Sequence, residues 1–219
     1  MPSREIRIMR YALDIQKRQI EPSYSGQRAI CPGCGAEVIG KCGYIVSDHW
    51  SHLSGSDCDP WHEPLTKWHL EWQNILKKYR NAQIEAVIAK HGISHRADAA
   101  LPDGTIYELQ HSGISPEEIH EREQFYGKKL VWVFDAIEAY VSGRIDLREK
   151  ENGNCTFRWK HPRKSIAYAQ RKVFLDFGLG ELFELEWMSK ETPCGGKGKL
   201  IQSATVADFT IFADQEDMA

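Results

Sequence analysis

The chain has 219 residues, 42% of them hydrophobic, with seven tryptophans and eight each of Tyr and Phe, enough for one domain of ordinary size and a smaller attachment. Its formal net charge of −3 argues against a protein that only coats nucleic acid, which is basic overall, but not against one that holds cations with carboxylates and phosphates with local basic patches. There is no apolar run of about 18 residues, so no membrane span is expected. MPSREIRIMRYALDIQ lacks the apolar core and cleavage signal of a secretion leader, so the expected location is the cytoplasm.

In chain order, IRIMRYALD alternates loosely as a strand does, and EPSYSGQRAI reads as a turn and a short strand. Residues 31–58 are rich in Gly, Cys, His and Ser, cannot build a core alone, and need another constraint, for which a metal is the natural choice. Cys31-Pro-Gly-Cys34-Gly is a knuckle signature whose backbone N–H groups turn toward two thiolates, and His49-Trp-Ser-His52 follows. The expected ligands of a structural Zn²⁺ are therefore Cys31, Cys34, His49 and His52. Because the histidine spacing is shorter than in the usual finger, Cys42 and Cys58 are the alternatives to one histidine. Such a closed site is structural or a grip on a partner, not catalytic.

HEPLTKWHLEWQNILKKYR predicts a helix over 62–80, with Pro64 in its first turn and Lys77, Lys78 and Arg80 in its last. QIEAVIA (83–89) reads as a strand. HRADAAL (95–101) and TIYELQH (105–111), separated by Pro102-Asp103-Gly104, read as a hairpin. SPEEIHEREQFYGKK predicts a second helix with Ser115 as N-cap and Pro116 at its first position, and LVWVFD (130–135) a buried strand. The succession is helix, three strands, helix, strand. Further on, 173–177, 182–187 and 206–213 read as strands and 192–199 as a glycine-rich loop. The expected division is 1–58 with the zinc knuckle, 59–150 as the core, and 151–219 as a β-rich extension.

Asp98 and Glu108 fall on opposite arms of the hairpin. Residues two apart on a strand share a face, so Glu108 and Gln110 project together while Leu109 points into a core. Two carboxylates and a polar oxygen make a hard-ligand site suited to Mg²⁺ or Mn²⁺. The bland alternative is the solvated face of a hairpin.

HRADAALPDGTIYELQHSGIS followed by EREQFY and LVWVFD resembles the competence protein CoiA-like nuclease family, a branch of the PD-(D/E)XK superfamily. The resemblance runs from about 31 to about 135, and more faintly through WKHPRKS and VFLDFG. It implies a restriction-endonuclease-like α/β core (α-β-β-β-α-β) and a Mg²⁺-dependent hydrolase of DNA phosphodiester bonds. Asp98 and Glu108 would hold the metal, and Gln110 stands where the superfamily usually has a lysine. Glutamine has no useful pKa and can only orient the attacking water or support the metal. The family pattern also points to Glu63 and His69 on the first helix, although His69 lies about 40° from Leu65 and reads equally as a core histidine. His62 shares its face, and Arg122 is the candidate phosphate contact. The implied partner is DNA, in transformation or with mobile DNA; a homodimer or recombination or defence proteins are the further partners considered. The alternative function is a nuclease-fold protein that binds DNA ends without cleaving them. A zinc deaminase is disfavoured because no His-x-Glu precedes the CPxC.

Overall fold

The computed structural model describes residues 8–44, 47–53, 58, 59, 61, 65–150, 153–178, 180–191 and 194–202. Their strands form two sheets. The first has six short antiparallel strands, β1 (Ile8–Met9), β2 (Ala12–Leu13), β3 (Gln19–Ile20), β4 (Arg28–Ile30), β5 (Glu37–Lys41) and β6 (His49–His52), in the order β1-β6-β5-β4-β2-β3. It closes on a core of Met9, Ala12, Ala29, Cys31, Val38, Trp50 and Cys58. So small an apolar core stabilises little by itself, as the composition of 31–58 predicts.

The second sheet has nine strands. They are β7 (Gln83–Lys90), β8 (Ile93–Ala100), β9 (Ile106–Gln110), β10 (Leu130–Asp135), β11 (Ile145–Glu149), β12 (Asn154–Trp159), β13 (Lys172–Gly178), β14 (Glu181–Met188) and β15 (Cys194–Gln202), ordered β11-β12-β15-β14-β13-β10-β9-β8-β7. β10 runs parallel to both β9 and β13, and the outer pairings are antiparallel. Every residue of β9 is buried, as are Leu130–Phe134 of β10, which is what strands covered on both faces require.

Helix α1 (Lys67–Arg80) covers one face, packing Trp68, Trp72 and Leu76 on Tyr107, Leu109, Val131, Val133 and Phe174. Helix α2 (Pro116–Tyr126) covers the other, packing Ile119 and Tyr126 near Trp132 and Phe134. The succession α1-β7-β8-β9-α2-β10 is the one read from the sequence, in a mixed α/β, β-rich chain. The Ser115 hydroxyl accepts from Glu118 N at 3.1 Å and caps α2, with Pro116 next. Helix α1 starts later than expected, at Lys67, because the Thr66 hydroxyl accepts from His69 N at 3.3 Å and caps it there; Pro64 lies outside the described residues. No helix among the described residues is long and apolar enough to cross a membrane.

Past residue 145 the chain extends the same sheet, and Phe157, Trp159, Phe177 and Phe183 join the core of Trp132 and Phe134. The stretch read as a loop, 192–199, is mostly strand: β15 begins at Cys194. Its glycines serve close approach rather than turning. A Cβ on Gly196 would stand 2.5 Å from the Phe157 ring, and one on Gly198 would stand 2.1 Å from Glu184 O and 2.7 Å from the Phe183 ring. Strands β11 and β12 and the short helix α3 (Ile137–Val141) are not among the elements read from the sequence, although β12 carries a strand signal in the alternation of Cys155, Phe157 and Trp159. The strand expected over 206–213 lies outside the described residues.

Gly198→Ala is therefore expected to destabilise the chain by ~1–3 kcal/mol, as overpacking does, and Gly195→Ala, whose Cβ would meet Phe157 O at 3.1 Å, by less. Urea unfolding of both variants checks the order, and equal stability of Gly198→Ala and wild type would refute the packing account.

Candidate metal centre and carboxylate site

Cys31, Cys34, His52 and Cys58 converge, with their ligand atoms all within 4.8 Å of one another. Cys31 and Cys34 sit on a turn in which Gly35 N donates to Cys31 O at 3.0 Å and Gly35 has φ +72°. Cys31 Sγ lies 3.8 Å from Cys58 Sγ, and Cys34 Sγ lies 3.4 Å from His52 Nε2. Ligands at ordinary Zn–S and Zn–N lengths on a tetrahedron stand about 3.8 Å (S to S) and about 3.6 Å (S to N) apart. The donor set and its spacing thus fit a structural zinc. The Cys31 thiol is held down at about 4, chiefly because the Cys58 thiol donates to it, with help from the Cys34 and Gly33 N–H groups. The Cys58 thiol is driven upward by the same contact.

The fourth ligand differs from the first expectation: Cys58 belongs to the set and His49 does not. The reason is the strand. His49-Trp-Ser-His52 is β6, and residues three apart on a strand face opposite ways, whereas on a finger helix they share a face. His49 is buried on the other side, its Nδ1 donating to Ser47 O at 2.8 Å. Cys42 is also outside the cluster; its N–H donates to Ser25 Oγ at 2.9 Å.

The residue after Cys58 joins this module to the large sheet. Asp59 accepts from His95 Nδ1 at 2.8 Å and from Arg96 N at 2.5 Å, both on β8. Trp61 stacks on His95, with ring centroids 3.4 Å apart. From the other side, the Glu85 carboxylate of β7 accepts from Arg10 N at 2.9 Å and Tyr11 N at 2.9 Å. Glu85 has φ +50° in a strand, a strained conformation that surrounding contacts must hold. It stands opposite Asp98, between the pairs Ile84↔Ala99 and Ala86↔Ala97.

Strands β8 and β9 pair next to their turn, at Ala100↔Ile106 and Ala99↔Tyr107. Beyond that the Asp98 carboxylate takes the Leu109 N–H at 2.7 Å. The parting strands leave a cavity of about 20 Å³ lined by Asp98, Glu108, His69, Gln73, Glu85, Arg96 and Arg122 among others, room for about one water or one ion. Glu108 is 2% exposed. Burial first, and the neighbouring Asp98 charge after it, raise its carboxyl to about 8 in spite of Arg122. Glu108 Oε2 accepts from Arg122 Nη1 at 2.5 Å, while its buried Oε1 makes no hydrogen bond of ordinary geometry among the described residues.

The predicted residues fare differently. Asp98 and Glu108 line one cavity. Gln110 is 1% exposed, and its amide donates to Ser112 O at 3.3 Å. His69 also reaches this place, as a clamp: Nε2 donates to Leu109 O at 2.7 Å, and Nδ1 lies 3.1 Å from the Thr66 hydroxyl. The backbone carbonyl beside Glu108, Leu109 O, is the one that His69 engages. Arg122, expected on the surface, is 3% exposed. It pairs with Glu108 and Glu118 and lies 5.5 and 5.9 Å from the Trp61 and Trp132 ring centroids, so it meets carboxylates rather than phosphate. Glu63 and His62 lie outside the described residues. Sequence reading missed Glu85, Gln73 and Arg96; the signal for Glu85 was a carboxylate interrupting the apolar run QIEAVIA. It also missed the His111–Asp135 pair at 2.7 Å, one residue beyond Gln110.

Residues 13–60, which contain all four residues of the Cys/His cluster, match the family described as Competence protein CoiA, N-terminal domain. The match supports a CoiA-like protein. Searches of curated proteins and of solved structures gave no match.

Protein purified without added zinc should hold about one equivalent by metal analysis. His49→Ala should keep it and Cys58→Ser should lose it; the reverse would remove Cys58 from the set. A second expectation concerns pH without divalent ions. The folded chain holds the Glu108 proton more tightly than the unfolded one, so Glu108 costs stability as pH rises from its ordinary 4.5 to about 8. Relative to Glu108→Gln, wild type should lose stability across that window and level off above it. A flat difference in melting curves would contradict the burial account.

Proposed function

We propose that the chain is a metal-dependent nuclease of the PD-(D/E)XK type acting on DNA. The observation that supports this most is the Asp98–Glu108 cavity: two carboxylates facing a space the size of an ion, one of them buried, with its carboxyl pushed upward chiefly by that burial. The succession α1-β7-β8-β9-α2-β10 and the CoiA-type N-terminal module agree with the reading.

A hard cation fits this donor set, since it would relieve the repulsion between Asp98 and Glu108 and engage Glu108 Oε1. Such a cation, Mg²⁺ or Mn²⁺, supplies an acidified water and offsets charge on the scissile phosphate. The chain's own groups do the rest. Asp98 and Glu108 hold the cation. His69, bonded to Leu109 O, and Asp98, bonded to Leu109 N, fix β9 between α1 and β8 and so hold the backbone that carries Glu108. Gln110 shares the Glu108 face of β9 and orients water by hydrogen bonding rather than by taking its proton. Arg122 moves Glu108 toward its ionised form and is placed to offset charge gathered there.

One observation favours a second reading. The buried Arg122–Glu108 pair already neutralises one proposed ligand, and breaking a buried pair is costly. A protein that keeps the fold and binds DNA ends without cutting would keep such a pair.

The deciding experiment incubates purified protein with plasmid, linear and single-stranded DNA in Mg²⁺, Mn²⁺ or chelator. Cleavage is expected with metal, with Asp98→Ala and Glu108→Ala abolishing it, Gln110→Ala reducing it less, and Gln110→Lys keeping or raising it. No cleavage of any DNA by wild type, with binding retained, would replace the enzyme by the binding protein.

A further inference from the structure

We infer that the outer face of strands β11, β12, β15 and β14 is a binding surface for single-stranded DNA, separate from the Asp98–Glu108 cavity. The choice of DNA rests on the function proposed above; the surface itself rests on its own geometry.

Register places Arg148, Thr156, Lys197 and Trp187 side by side on four neighbouring strands, a row about 14 Å long at the usual strand spacing. A register shift between Leu185 and Trp187 marks a bulge, a device that re-aims side chains. The Trp187 ring stands 56% exposed, while its neighbours Leu182, Phe183 and Met188 on the same strand are buried. Trp187 borders a groove of about 400 Å³ lined also by Arg148, Arg158, Thr156, Phe157, Cys194, Gly195 and Gly196. That size lies within the range of built ligand sites, ~300–1,000 Å³.

The charge of this groove selects its occupant. Two arginines line it and no carboxylate does, although the chain as a whole is acidic. The Arg158 guanidinium makes no ion pair or hydrogen bond among the described residues, and Arg148 has only a 3.9 Å contact to the exposed Asp146. Lys197 is drawn to Glu186 at 3.2 Å and contributes less. Gly195, two residues from Lys197 and on the same face of β15, leaves the floor low so that a ligand can approach the backbone. An exposed aromatic face beside the Arg158 guanidinium, with Arg148 next to it, suits an unstacked base with its phosphates, the pairing that single-strand binders use. A duplex keeps its bases stacked and offers no face to Trp187.

On the other side of Trp187 a larger groove, about 850 Å³, carries Arg171 and Lys190 against Glu186 and Glu191. Its mixed charge makes it the weaker place for phosphate, so the strand is assigned to the arginine groove.

The test uses the full chain and a labelled 20-nucleotide oligo(dT), by fluorescence anisotropy without divalent metal or chelator, at several salt concentrations. Trp187→Ala should weaken binding roughly five- to a hundredfold, the worth of one base stack, while Trp187→Phe should keep most of it. Arg148→Gln with Arg158→Gln should flatten the salt dependence by about 1.4 in log–log slope, ~0.7 for each lost phosphate contact. Unchanged melting curves would separate these effects from misfolding, since all three side chains are exposed. Equal binding by Trp187→Ala and wild type overturns the proposal. So does duplex DNA of the same length binding as tightly, or an RNA oligomer binding tighter than DNA. Wild-type cleavage and oligo(dT) binding are read separately, so a protein that binds the oligomer but never cleaves would sink the nuclease and leave this surface standing.

Discussion

The hydrogen bond from Leu109 N to the Asp98 carboxylate sets the plan of the site. In a continued ladder that N–H would meet the backbone of Ala97, given the pairing at Ala99↔Tyr107. Asp98 takes it instead, β8 and β9 part, and the parting makes the cavity. The other polar groups there follow from that opening. Glu108 turns toward it from a wholly buried strand, Arg122 must come from α2 to offset its charge, and His69 from α1 takes the Leu109 carbonyl. Opening the ladder forgoes backbone bonds, and the side chains that replace them are the ones available for chemistry.

Much of this was legible because it is local. Ser115-Pro116 starts α2, the Asp103-Gly104 turn joins β8 to β9, and the buried run of β10 announces itself. The pairing of Asp98 with Glu108 across a hairpin also followed from strand period. What could not be read was non-local or depended on the kind of element. The His49 expectation failed because HxxH means one thing on a helix and another on a strand. Arg122 looked exposed on a helix with a low share of apolar residues, and only the packing of α2 over β9 buried it. The glycines of β15 looked like a loop because nothing in their neighbourhood announces that Phe157 and Phe183 need room there.

The two sheets meet through polar contacts as well as through the Tyr11 ring, which packs into the core between α1 and the large sheet. Glu85 receives the Arg10 and Tyr11 amides, Asp59 holds His95 and Arg96, and the Lys77 ammonium donates to the Tyr11 hydroxyl at 2.9 Å. Such contacts are directional, so they fix orientation more than they add stability. The same β8 strand receives the Asp59 clasp and carries Asp98 two residues beyond Arg96. The Cys/His module therefore bears on the geometry of the carboxylate cavity from outside it.

The adjacency of Cys58 and Asp59 has a consequence for the order of folding. On a growing chain all four residues of the Cys/His cluster emerge before any strand of the large sheet, and if the cluster takes up the zinc that its donor set fits, that small unit can close while the rest is still being made. Its closure then presents Asp59 and the Arg10–Tyr11 amides as fixed docking points for β7 and β8, the next strands to appear. Long-range strand pairing is slow because loop closure must come before contacts. A preformed edge that captures the first hairpin shortens that search, so depletion of zinc during synthesis would slow maturation of a region that binds no zinc itself.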